Sequence, residues 1–163
     1  MTDVKLVGVD ETEGYDYFLS GNYLELGKFT AEKSGTVSAI HFYSRVTATA
    51  HWKFAIYSDS SGSPGTVLAS TGEITTTTSG WQTASISATL VSGTVYWLAF
   101  VSDTALGATD AGTGVQKYKI MSYSESSFTN NPTGLTDGTR IIKINAWGAE
   151  AAAGNPHYAY AQQ

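Results

Sequence analysis

The chain has 163 residues, a formal net charge of −5, seventeen glycines and no cysteine. That length suffices for one domain folding without metal or disulfide staples, and the lack of cysteine excludes a thiol nucleophile and cysteine-ligated zinc. The nine basic residues, scattered from Lys5 to Lys143, leave no electropositive stripe for a nucleic-acid backbone, and no apolar run is long enough to span a membrane.

Residues 4–9 alternate weakly and predict a short edge strand, followed by an acidic turn at 10–14 and the aromatics Tyr15, Tyr17 and Phe18. Residues 23–30 predict a strand with Leu24, Leu26 and Lys28 on one face and Tyr23, Glu25 and Phe29 on the other. A hairpin signal at 32–35 leads into residues 36–46, where Val37, Ala39 and His41 oppose Ile40, Phe42 and Arg45. At 52–57 the period is two: Trp52, Phe54 and Ile56 share one face, Lys53, Ala55 and Tyr57 the other. Residues 58–65, rich in Ser and Gly, predict the longest loop of the first half, and extended structure resumes over 66–77.

Residues 80–103 are the most β-prone stretch. A strand at 81–86 and a short crossing lead to 94–101, an almost unbroken run of aromatic and β-branched residues. That pattern predicts a central strand packed on both faces. A loop of small residues follows at 104–114, then a strand at 115–123, a loop at 124–138 and a last strand at 139–147. In that last strand Ile142, Ile144 and Ala146 oppose Ile141, Lys143 and Asn145. The chain divides into a single domain, 1–148, and a tail, 149–163, that carries Tyr158 and Tyr160.

Eight or nine short strands, a turn about every ten residues and no helical spacing predict an all-β fold, an antiparallel β-sandwich. Jelly-roll topology is preferred over an immunoglobulin-like one, whose Cys-Trp-Cys hallmark is missing. Three stretches carry a resemblance. They are 29–37 leading to Ile40-His41-Phe42-Tyr43; 56–69 with its Pro64-Gly65 turn; and Trp81 with Gly93-Thr94-Val95-Tyr96-Trp97. Over roughly residues 22–103 the chain resembles jelly-roll modules, similar to carbohydrate-binding modules, of bacterial surface proteins and phage virion proteins. The shared motifs belong to the scaffold, and the resemblance implies binding groups on variable loops, so it transfers no binding residue.

No nucleophile, paired carboxylates or phosphate loop emerges, and an enzyme is not expected. His41, His51 and Asp59 match no metal-ligand spacing, so no metal site is assigned. Asp59, Ser61 and Ser63, and separately Asp103 and Asp110, could offer oxygens to calcium, but glycine-serine turns need no ion and no cofactor is expected. Trp52 and Trp97 read as core. Trp81, Trp147, Tyr123 and Phe128, at strand ends or beside loops, are the candidate ligand-binding aromatics, each with a second reading as a core lid.

Two functions follow. One is a structural or assembly protein, a virion component (capsid decoration or tail) or surface-layer component. It would form homo-oligomers or pack on other protein chains, with Tyr158 and Tyr160 as docking residues. The alternative is a carbohydrate-binding module that takes glycans on its exposed aromatics. Either places the protein on a virion or an extracellular surface.

Overall fold

A computed structural model gives the fold and describes residues 2–9, 17–104, 108–110, 114–125 and 127–152. In chain order the strands are β1 (Val4–Gly8), β2 (Tyr17–Phe18), β3 (Tyr23–Thr30), β4 (Gly35–Ser44), β5 (Ala50–Ser60), β6 (Ser63–Ser70) and β7 (Ile74–Thr76). They continue as β8 (Gly80–Leu90), β9 (Val95–Ser102), β10 (Ala108–Asp110), β11 (Gln116–Ile120), β12 (Thr136–Gly138), β13 (Ile141–Ile142) and β14 (Ile144–Glu150). Apart from one 3₁₀ turn at Tyr123–Glu125, the described residues contain no helix.

The fold is an all-β sandwich of antiparallel sheets. One sheet has the order β1-β14-β4-β8. The larger runs β12-β11-β3-β9-β5-β6, with β7 also paired to β5, and β13-β10-β2 forms a small third sheet. Between the two main sheets lies a core that includes Leu6, Ile40, Phe42, Trp52, Phe54, Leu98, Phe100 and Ile144. Its centre is aromatic: the Phe42 ring lies 4.3 Å from Phe54 and 5.1 Å from Trp52. These are the residues that period-two alternation assigns to one face of each strand.

Strand β9 lies between β3 and β5, which accounts for its unbroken apolar run. Tyr96, Leu98 and Phe100 enter the main core, whereas Trp97 and Ala99 join Leu24, Leu26, Ala55 and Tyr57 in a second cluster on the outer face. Met121, Phe128 and Leu135 close that cluster from above, so the chain between β11 and β12 works as a strap over the larger sheet.

The structure corrects three details. Residues 58–65 are not a loop: β5 and β6 run to Ser60 and Ser63, and only Ser61 (φ 52°) and Gly62 (φ 82°) turn, as in a type I′ hairpin. In β4, Val37 shares the core with Ile40 and Phe42 instead of opposing them. Against β14, where Trp147 and Gly148 are adjacent, Ser38 is an extra residue between Ala39 and Val37, and this bulge reverses the alternation there. The last strand is two, β13 and β14, which belong to different sheets. Strand β14 also extends past 148, pairing Ala149 with Thr36 and Glu150 with Gly35.

Candidate functional site

The outward face of the four-stranded sheet gathers aromatic rings. In β4, His41 and Tyr43 point away from the core that Ile40 and Phe42 enter. Register then places their neighbours. Trp147 of β14 stands opposite Ala39, one step along the same face from His41, and Trp81 of β8 stands opposite Tyr43. The His41 imidazole stacks on Trp147 (5.5 Å between ring centroids, 10° between planes), and Trp81 meets Tyr43 edge-on at 5.7 Å. Four half-buried rings thus form a strip running obliquely across three strands, about 16 Å from end to end by ordinary sheet spacings.

The strip is held from beneath and from the side. Trp147 Nε1 donates to Asn145 Oδ1 at 2.9 Å, and the buried Asn145 in turn donates from Nδ2 to the Val9 carbonyl at 2.8 Å. Lys143 sets its Nζ 5.3 Å from the Tyr43 ring centre. Next to Trp147, Gly148 comes so close to β4 that an added Cβ would lie 2.0 Å from the Thr36 carbonyl oxygen. The site therefore has apolar ring surface, held from beneath by Asn145, with an imidazole, a phenol and the Trp81 indole N–H. Such a surface suits stacking and hydrogen bonding.

The other two sequence candidates lie on the opposite side of the molecule. Phe128 belongs to the strap and sets its edge against Tyr57 at 6.4 Å, covering the second cluster. Tyr123 lies in a polar group at one end of the larger sheet. Its hydroxyl donates to Glu73 Oε2 at 3.0 Å, and Lys53 Nζ is 4.7 Å from its ring centre. Burial and the Glu73 carboxylate both push the Tyr123 hydroxyl above its ordinary pKa. In the same group His51 Nδ1 donates to Asp103 Oδ2 at 2.6 Å, a bond that raises the imidazole pKa although partial burial opposes it. Tyr158 and Tyr160 lie outside the described residues.

His41, His51 and Asp59, which match no metal-ligand spacing in the sequence, are dispersed in the structure. His41 is on the strip, His51 bonds Asp103, and Asp59 fastens the Ser61-Gly62 turn. Asp59 accepts from Gly62 N at 2.9 Å and from Trp97 Nε1 at 2.8 Å, with Lys28 Nζ 3.9 Å away. Burial opposes its charge, yet those donors hold its carboxyl below the ordinary range. The side chain of Asp110 lies outside the described residues, among which no three His, Asp or Glu side chains gather as metal ligands.

Sequence reasoning did not single out His41 and Tyr43 as partners of the tryptophans. The usable signal was their shared parity, opposite to the core-facing Phe42. It also passed over Glu25 and Gln116, which share a bond inside the sandwich. No helix among the described residues is long and apolar enough to cross a membrane.

No curated protein matches the chain. A family model does, over residues 17–161, and that stretch takes in all four rings of the strip. With most of its length so matched, the chain belongs to the family described as Domain of unknown function (DUF4082).

Proposed function

We propose that this protein is a non-catalytic recognition module that lays a glycan along the Trp147-His41-Tyr43-Trp81 strip. The observation that carries the reading is that Trp81 and Trp147, chosen as surface aromatics far apart in sequence, share one sheet face and are bridged by two further rings. Pyranose C–H faces pack on such rings, while Tyr43, His41 and the neighbouring Thr83 and Ser85 supply hydrogen-bonding groups to hydroxyls. The jelly-roll resemblance agrees with this role, and a glycan ligand fits an extracellular or virion surface.

A glycan array read with wild type and with Trp81→Ala and Trp147→Ala tests it. Each substitution should weaken binding on the order of tenfold, as loss of a stacking anchor does. Both side chains are half-exposed, so the fold should survive. An array silent for the wild type, or binding unchanged in the double variant, overturns the reading.

One observation favours the assembly reading. Strand β8 ends the four-stranded sheet with eleven residues that include no charge and no proline, the devices that normally blunt an edge. A second copy, or another virion or surface-layer chain, could pair along it. Light scattering separates the two readings. A stable oligomer with a silent array supports assembly, and a monomer that binds the array supports the recognition module.

A further inference from the structure

At one end of the sandwich, β3 and β11 turn Tyr23, Glu25, Gln116 and Tyr118 toward the inside. Glu25 pairs with Phe100 of the core across β9 and with Tyr118 across β11, so all four share the inner face. With Arg140 at the rim they line a cleft of about 420 Å³, within the usual size for small-ligand sites. Glu25 and Gln116 form the floor, each 3% exposed, and Gln116 Nε2 donates to Glu25 Oε2 at 2.6 Å. The amide is locked in place by Gly138 on β12, where a Cβ would lie 2.4 Å from Gln116 Oε1. Tyr23 and Tyr118 stand on the same face with ring centroids 6.3 Å apart, tilted by 47°.

A buried acid is costly where an apolar pair would pack, and this one opens onto a cavity and not onto close-packed neighbours. We propose that the cleft is a second binding site that takes a single neutral, polyhydroxylated ring, a free sugar or a terminal sugar unit. The Tyr23 and Tyr118 rings give it apolar walls, the Glu25–Gln116 pair offers acceptors and donors on the floor, and Arg140 adds donors at the rim. Arg140 disfavours an ammonium that the tyrosine pair could otherwise cage, and titration with acetate tells a neutral ring from an anion. This site is separate from the aromatic strip and does not depend on it.

The test is an NMR titration of the whole chain with free glucose, galactose and N-acetylglucosamine. It follows the Gln116 side-chain amide and the Gly138 and Tyr118 backbone signals, with the Trp81 and Trp147 indole N–H signals read in the same spectra. At least one sugar should shift the cleft signals and leave the indoles in place. Tyr118→Ala should weaken that response at least tenfold, as should Gly138→Ala, which displaces the locked amide; Trp81→Ala should not change it. If Gly138→Ala does not fold, Tyr118→Ala alone carries the comparison. The proposal is overturned if no sugar moves the cleft signals, if only the indoles respond, or if tetramethylammonium or acetate shifts the cleft where the sugars do not. Because strip and cleft are read separately, failure of one does not mimic failure of the other.

Discussion

Glu25 shows what a single buried acid does to the molecule. Burial raises its pKa from 4.5 to about 7, against the opposing pull of the Gln116 hydrogen bond and the Arg140 charge. The folded state therefore binds the proton more tightly than the unfolded chain. The resulting stability is complete below about pH 4.5 and is lost as pH rises through about 7. The difference is on the order of 3 kcal/mol. The thermal midpoint should fall between about pH 5 and pH 8, and Glu25→Gln should flatten that descent. An equally steep descent in the variant would assign it to other groups. His51 offers a second check. Its bond to Asp103 holds the imidazole proton past the ordinary value, so Asp103→Asn should lower the His51 midpoint in an NMR pH titration. Neither role was legible in the sequence. A glutamate in an alternating strand reads as solvent-facing, and the partners that define both groups, Gln116 and Asp103, are distant in the chain.

Among the elements, the strap over the larger sheet carries the most testable consequence. Phe128 half-covers a cluster that contains Trp97 and Tyr57. Phe128→Ala should cost on the order of 2 kcal/mol, less than for a fully buried phenylalanine, and should move tryptophan emission to the red as water reaches Trp97. An unshifted spectrum would mean that the cover does not depend on this residue. Strands that alternate were legible, and so was β9, because packing on both faces leaves a continuous apolar run. The source of β9's outer cover was not, since Phe128 and Leu135 lie in a stretch whose composition reads only as loop. The Ser61-Gly62 hairpin was hidden for a related reason. Ladder hydrogen bonds to a neighbouring strand hold serine and glycine extended despite their preference for turns. The bulge at Ser38 leaves no compositional trace and reversed the expected facing of Val37.

For the molecule as a whole, the sandwich was legible from strand count and turn spacing, whereas the pairing of β1 with β14 was not, because nothing local joins the two ends. Strand β14 reaches Glu150, which bonds Lys33 at 2.7 Å. A chain ending at residue 148 should consequently melt lower than one ending at residue 152, and equal midpoints would show that the last two paired residues contribute nothing. The same edge has a mechanical consequence. Val4 lies opposite Gly148, so the two ends of the described chain leave the sheet at one corner, side by side. Tension applied between them would load the hydrogen bonds of β1 and β14 one after another, like a zipper, and not all at once in shear. The domain should yield at low force in a single-molecule pulling experiment.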